Sequence, residues 1–355
     1  MPKPDRAVPH TGQGRSVPGR DLRPLPGAPS EDEARSRTPI QKVDIMTRTV
    51  TVGLDGSAES RAAADWAAHE AQLRGLPLKL VQVWEPVPAP MAQAPLLGAE
   101  TQQHWTERSE MGVPPAEGWG RIPREAADGI RRRHPGVDVT VEQLTGAPAD
   151  TLLDAAKDSE LLVLGSRGLS GVGGFLVGSV GLSVVAHAEL PVVLVRAGEQ
   201  AAAENGTNPS SATPSRPVVL GIDAGAPADA VLEFAFAEAA RRDTALRVVH
   251  GWSLPPYYAY GLGMDAGLND ELFRWEAAAL TEALRPWRLK HPAVEVALES
   301  RVGSAADHLV DASREASLVV IGRRIRHGAL GAHIGPVAHG VLHHSTAPVA
   351  VVAHD

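Results

Sequence analysis

The feature that most constrains this chain is that it contains the same pattern twice. The run Thr49–Ser57 (TVTVGLDGS) returns as Pro217–Gly225 (PVVLGIDAG), and Trp84 after one apolar run returns as Trp252 after another. Both pairs stand 168 residues apart. Further on, the helical pattern opened by Gly146 returns from Gly303, and Pro191-Val192-Val193 returns as Pro348-Val349-Ala350, both at an offset of 157. One fold of about 150 residues, built twice, satisfies this pattern, a size large enough for an independent core. A membrane reading of the uncharged stretch Leu169–Ala186 fails on the same ground. Its repeat counterpart carries Arg326, His327, His333 and His339, which a bilayer core accepts only at high cost.

Within each half, short β-branched runs alternate with longer Ala- and Leu-rich helical patterns. In the first half, strands are expected near 48–54, 77–84, 137–144, 161–165 and 191–195, with helices near 58–74, 121–134, 147–157 and 178–188. In the second half, strands are expected near 217–222, 244–252, 293–301, 317–322 and 348–352. Fully apolar strands such as Leu161–Leu164 imply a sheet covered on both faces. Alternation with helices makes that sheet parallel and doubly wound, an α/β fold. Residues 1–45 are rich in Pro, Gly, Arg and Ser with no hydrophobic period, and are expected to be a disordered tail. Residues 46–196 form a first domain, the small polar stretch 197–216 a linker, and 217–355 a second domain.

Composition removes several chemistries. The chain has no Cys, which excludes a disulfide framework, a thiolate metal site and a Cys nucleophile, and fits a reducing cytoplasm. A formal net charge of −8 disfavours non-specific nucleic-acid binding. No Lys follows a glycine-rich loop, so the P-loop signature is absent, and there is no GxSxG elbow. The His residues of the second half, including His343-His344 at a helix end, are expected to serve the helix dipole rather than a metal. Trp66, Trp84 and Trp252 are expected in the core. Trp105, Trp119, Tyr257, Tyr258 and Tyr260 lie in inserts that could form a lid or a partner surface.

Two strand ends of the first half carry chemistry. The first ends in Gly53-Leu54-Asp55-Gly56-Ser57. A carboxylate there accepts hydrogen bonds from ribose hydroxyls, or else Asp55 and Ser57 simply form a turn and cap the next helix. The fourth ends in Gly165-Ser166-Arg167-Gly168 and continues through a glycine-dense loop to Gly178-Ser179, where a helix opens. Bare backbone admits close approach of a ligand, the helix N-terminus attracts anions, and Arg167 adds a cation. The alternative is a plain surface loop.

The spacing Gly165-x2-Gly168-x9-Gly178-Ser179, together with Asp55 and Pro191-Val192-Val193, resembles the ATP-binding signature of the universal stress protein family. The resemblance covers about 47–196 and again about 217–353, so the whole chain resembles a tandem member. It implies two Rossmann-like five-stranded sheets, each of order 3-2-1-4-5, with ATP across the first and fourth strands, with or without Mg2+. Carried over by position, Asp55 would bind ribose, with Leu54 and Ser57 beside it, and Gly53 and Val83 would flank the adenine. Gly165, Gly168, Gly178, Ser179 and Val180 would hold the phosphates, with Arg167 nearby. The family also implies a cytoplasmic, non-enzymatic nucleotide-dependent regulator with an unnamed protein partner. The rival readings are a slow ATPase or phosphotransfer enzyme, and an interaction module without ligand.

The second half departs from the motif. Asp223, Gly322 and Gly335 persist, but Ile325 stands against Gly168 and Pro336 against Ser179. Proline lacks an N–H yet suits the first turn of a helix, so the helix survives while the anion site weakens. One tight ATP per chain, in the first half, is therefore expected, with Arg323, Arg324 and Arg326 as partial compensation in the second. Under the family order the last strands, Val192–Val195 and Val349–Val352, are apolar sheet edges. Such edges pair or are covered, so the halves are expected to pack together through them, and a homodimer of whole chains is compatible with the same chemistry.

Overall fold

The computed structural model describes residues 48–85, 120–166, 177–197, 216–254, 266–325 and 334–355. The first half contains β1 (Thr49–Leu54), α1 (Ala58–Arg74), β2 (Leu78–Trp84), α2 (Arg121–Arg133), β3 (Val139–Thr145), α3 (Pro148–Ala155), β4 (Ser159–Gly165), α4 (Ser179–His187) and β5 (Val192–Val195). The second contains β6 (Val218–Gly221), α5 (Asp229–Arg241), β7 (Leu246–Trp252), α6 (Ala266–Lys290), β8 (Val296–Val302), α7 (Ala305–Ser313), β9 (Leu318–Arg324), α8 (Pro336–His344) and β10 (Val349–His354).

The strands make one ten-stranded sheet of order β3-β2-β1-β4-β5-β10-β9-β6-β7-β8. Each half has the expected order 3-2-1-4-5. The halves meet where β5 and β10 pair antiparallel, Val349 opposite Leu194 and Val351 opposite Val192. The pairing expected of the two apolar edges is thus realised inside the chain. All four residues of β5 are buried, as are the first four of β10, which removes two exposed edges at once.

Local sequence explains the frame. Helix α1 opens on Ser57, whose Oγ accepts from the Ser60 N–H at 3.0 Å, and closes on Gly75 in the left-handed region at φ 64°. Its inner face is alanine, with Ala63, Ala67, Ala68 and Ala71 fully buried, so the helix axis lies close to the sheet. Trp66, Trp84 and Trp252 are buried, as expected of core residues. Among the described residues no helix is long and apolar enough to cross a membrane.

One feature was not expected from the sequence. Glu70 and Arg74 on α1 meet Glu238 and Arg242 on α5 in a buried ionic quartet. Glu70 and Glu238, and likewise Arg74 and Arg242, are each 168 residues apart, so the quartet straddles the pseudo-twofold axis relating the halves. Arg74 donates from Nε to Glu70 Oε1 at 2.6 Å and from Nη2 to Glu238 Oε1 at 2.5 Å. Arg242 donates from Nη2 to Glu70 Oε2 at 2.5 Å and from Nη1 to Glu238 Oε2. Burial pushes the Glu70 carboxyl up, but the Arg242 and Arg74 guanidiniums outweigh it and hold it below the ordinary glutamate value. The second difference is α6, with 25 residues against 13 in its counterpart α2.

Candidate functional site

In an open parallel sheet, ligands bind beyond the carboxyl ends of the strands where the strand order reverses. In the first half that point is between β1 and β4, which are neighbours although β2 and β3 lie on the other side of β1. Asp55 follows β1 there. Its Oδ1 accepts from the Ser57 N–H at 2.9 Å and from the Ser57 hydroxyl at 2.6 Å. Both sequence readings therefore meet in one place: Asp55 and Ser57 build a turn and a helix cap, and the turn presents the carboxylate at the strand end. Gly56 between them has φ 86°, and a Cβ there would come 2.9 Å from Ile122 Cδ1. Only glycine accepts both constraints without strain.

The glycines at the strand ends owe their place to packing as well as to ligand access. A Cβ on Gly53 would come within 2.6 Å of Leu164 Cδ2 and 3.1 Å of Leu152 Cδ2, so the two leucines pack over Gly53 on one face of the sheet, while Leu54 is buried in the core on the other. A Cβ on Gly165 would lie 2.8 Å from the Glu59 carbonyl carbon and 2.8 Å from the Ser60 nitrogen. Gly165 is therefore required for β4 to pass the first turn of α1, a reason that the motif spacing alone does not reveal. Gly178 caps α4 in extended conformation, with its N–H donated to the Ser166 carbonyl at 3.0 Å. Ser179 is exposed and opens the helix, with Val180 half-buried behind it. The first N–H groups of a helix have no acceptor within it, so Ser179, Val180 and Gly181 present donors at this end. Val83, half-buried at the end of β2, packs against the core below. Arg167 and Gly168 lie outside the described residues.

Two polar groups in this region were missed by motif reasoning. Gln82 is buried at the end of β2, in register with Leu54 of β1; its Oε1 accepts from Gln143 Nε2 at 3.0 Å, while its Nε2 has no partner among the described residues. Ser166, directly after β4, is buried, and its hydroxyl likewise has no partner among the described residues. Their repeat counterparts are His250 and Arg323, and both of those are satisfied inside the protein. His250 Nε2 lies 3.2 Å from Glu276 Oε2, and Nδ1 lies 3.1 Å from the Ile222 carbonyl. The signal was present in the sequence as two polar-for-polar replacements between halves.

In the second half, Asp223, Gly322 and Gly335 are brought together as expected, around a cavity of about 720 Å³ at the β6–β9 switch point. Asp223 Oδ1 accepts from the Gly225 N–H at 3.0 Å. Gly221 repeats the role of Gly53, a Cβ there meeting Leu309 at 2.7 Å and Ile321 at 3.3 Å. Helix α5 begins at Asp229, three residues later than the repeat of α1 would place it. The His354 ring enters beside Gly322, where a Cβ would come within 2.9 Å of it.

Two expectations are refined. Arg324 is exposed and lines the cavity, where the expected compensating cation would stand, but Arg323, which lines it too, is engaged elsewhere. Its guanidinium donates to the Ala188 carbonyl at the end of α4 in the other half, and burial lowers its pKa. Arg326 lies outside the described residues. His343 stands in the last turn of α8 as expected, but it faces inward rather than outward. It is buried, and its Nδ1 lies 3.4 Å from the Val177 N–H, just before Gly178, so that nitrogen serves as an acceptor. His344 is exposed. Trp105, Trp119, Tyr257, Tyr258 and Tyr260 lie outside the described residues. No group of His, Asp and Glu suited to a metal ion occurs among the described residues.

Comparison with known proteins agrees with this architecture. Residues 46–196 and 214–353 each match the universal stress protein family. A universal stress protein of Mycolicibacterium smegmatis is 32% identical over 307 residues, covering 85% of this chain and 96% of that protein. One from Mycobacterium tuberculosis strain H37Rv is 32% identical over 316 residues, with the same coverage of each. Among solved structures, a universal stress protein from Archaeoglobus fulgidus DSM 4304 superposes with a TM-score of 0.56 at 17% identity, covering 86% of this chain and 98% of that one, a likeness of fold. With two matched repeats, a shared strand order and relatives aligned over nearly their whole length, this chain belongs to the universal stress protein family.

Proposed function

We propose that the first half binds one ATP, with its Mg2+, in the crevice between β1 and β4, and that occupancy alters the partners of a cytoplasmic stress-response regulator rather than driving turnover. The observation that carries this reading is the contrast between the halves at two matched positions. In the first half, Gln82 Nε2 and the Ser166 hydroxyl are buried at strand ends without partners among the described residues. In the second, His250 and Arg323 have theirs. A buried unsatisfied polar group costs about 1–3 kcal/mol, and a polar ligand recovers it. Asp55 stands beside them for the ribose hydroxyls. The α4 N-terminus at Ser179 and Val180 offers backbone donors to the phosphates, with Arg167 and Gly168 in the loop between. No Lys or Cys lies among these residues, and their roles are to bind and orient.

Calorimetric titration of the full chain with ATP tests the reading. One ATP per chain is expected, and Gly178→Arg abolishes that binding while the protein still melts cooperatively. Unchanged affinity in Gly178→Arg refutes the loop assignment. ADP release above that of the Gly178→Arg variant would favour the ATPase instead.

A further inference from the structure

Helix α4 of the first half is held by the second half at both of its ends. At its far end the Ala188 carbonyl accepts from Arg323. At the end that opens the helix, the Val177 N–H is donated to Nδ1 of His343, in the last turn of α8, at 3.4 Å. Gly178, the cap of α4, follows, and its N–H is donated to the Ser166 carbonyl at 3.0 Å. Ser166 in turn donates its N–H to the Val195 carbonyl at 2.7 Å. Arg196, the next residue, sends its guanidinium back to α8, to the Leu342 carbonyl at 3.3 Å and to the His343 carbonyl. These contacts close a circuit that holds Ser166 and Gly178 of the first half and one side chain of the second, that of His343. The His343 ring is buried and lies against His339 with ring centres 4.3 Å apart, which fixes where Nδ1 stands.

The circuit has no reciprocal. At the repeat offset of 157, His343 stands against Ala186 and Arg196 against Ala353. Neither alanine has a side-chain donor or acceptor, so these positions of the first half cannot hold the start of α8 in return. At that start, Pro336 has already removed the N–H that Ser179 supplies in α4. The support therefore runs one way, from the second half to the helix end that still presents its donors.

We propose that His343 is a positioning residue for the nucleotide site of the opposite half. The proposal rests on the reading that ATP binds in the first half, and adds a regulation to it: the phosphate end of that site is fully shaped only while α8 is docked against it. A helix N-terminus binds an anion through N–H groups whose directions its first turn sets. Release of Val177 and Gly178 re-aims those of Ser179 and Val180. Coupling between two sites is reciprocal, so ATP in the first half also steadies the last turn of α8.

The test is calorimetric titration of the full chain with ATP, with amide hydrogen exchange on the same samples. His343→Leu removes the acceptor and keeps the bulk, and is expected to weaken ATP binding about fivefold, the size of one lost hydrogen bond. His343→Asn carries an amide oxygen where Nδ1 stands, and is expected to restore most of that affinity. Arg323→Met cuts the contact at the far end of α4, across the same interface, and is expected to leave ATP affinity unchanged. ATP is expected to slow exchange in the last turn of α8 in the wild type and not in His343→Leu. Equal weakening in all three variants would mean a general loosening of the interface and overturns the proposal, as does wild-type exchange in α8 that ignores ATP. Unchanged ATP affinity in His343→Leu overturns this proposal alone, whereas a wild-type chain that binds no ATP overturns the ATP reading and this proposal with it. If His343→Leu does not melt cooperatively, Arg196→Met decides in its place: weakened ATP binding supports the proposal and unchanged binding overturns it.

Discussion

Replacing Glu70 by Gln tests how the two halves are held together. Glu70 and Glu238 have side chains only 1% exposed, and Arg74 and Arg242 are 7% and 11% exposed. Two buried carboxylates are thus matched by two buried guanidiniums. Gln at 70 keeps the shape and removes one charge, leaving Glu238 as the one buried carboxylate for Arg74 and Arg242, with Arg241 drawing on it as well and the half-exposed Glu160 on Arg74. Removing one partner of a buried pair costs about 3–5 kcal/mol, because the partner's charge stays buried without compensation. At about 2 °C per kcal/mol for a chain of this size, Tm falls by roughly 6–10 °C. Glu238→Gln should also destabilise, leaving Arg241 as well as Arg74 and Arg242 short of a partner. Glu160 touches Arg74 at 3.2 Å but is 32% exposed, so Glu160→Gln should cost less than about 1 kcal/mol. The assay is urea unfolding followed by tryptophan fluorescence, repeated in 0.5 M NaCl as an exposed pair would be screened there and a buried one hardly at all. The sign with pH follows from the depressed Glu70 value. Its contribution is present above the unfolded glutamate pKa and is lost as pH falls through the lower folded value, whereas Glu238, pushed up by burial and by the neighbouring Glu70 carboxyl, contributes with the opposite sign. A Glu70→Gln loss under about 1 kcal/mol, or one that vanishes in salt, refutes the claim that the quartet is a dry junction between halves.

Gly165→Ala places a methyl group 2.8 Å from backbone atoms of α1 that cannot step aside, and should cost about 1–3 kcal/mol. Gly335→Ala, with nothing within 4 Å, should change stability by under about 0.5 kcal/mol in the same denaturation assay. Asp55→Ala removes the acceptor for both the Ser57 N–H and hydroxyl. It should cost about 1–2 kcal/mol and also weaken ATP binding, a double effect readable by denaturation and calorimetry. Burial lowers the pKa of both His69 and His134, the latter helped by Arg133. Lowered folded values give stability that is complete above the unfolded histidine pKa and declines as pH falls below it, so His134→Gln should flatten that decline in unfolding curves taken from pH 7 to 5.

The strand order, and with it the edge pairing, was implied only by the family resemblance, whereas the repeat and the alternation of strands and helices were legible because they rest on periodicity and on apolar runs, which depend little on context. The boundaries followed for the same reason: α1 was expected at 58–74 and is found there, fixed by Ser57 at one end and Gly75 at the other. The ionic quartet was written in the sequence as a Glu-x3-Arg pair repeated at one offset, yet nothing local distinguishes it from an ordinary exposed helix pair. Only the antiparallel pairing of β5 with β10 brings α1 and α5 together and buries it. Gly165 shows a second limit. The motif reads it as access for phosphate, whereas its nearest obstacle is the first turn of α1. One residue meets both demands, and spacing alone cannot separate them.

The halves diverge where ligand chemistry would be decided, and remain alike where packing is decided. Gly53 with Leu152 and Leu164 is matched by Gly221 with Leu309 and Ile321, the same glycine under the same two aliphatic side chains. Glu70 and Arg74 are matched by Glu238 and Arg242. By contrast Gln82 becomes His250, Ser166 becomes Arg323, and Ser179 becomes Pro336. Each of these three changes has a consequence within the structure. His250 acquires Glu276 from the lengthened α6, Arg323 reaches across to cap α4, and Pro336 starts α8 without a donor. Two of them turn a strand-end position into a contact within the protein, and the third deletes a donor. A duplicated fold that has kept its core and changed the polar groups at its crevice is expected to bind differently in its two halves, and in the second a cavity of about 720 Å³ remains open at the switch point.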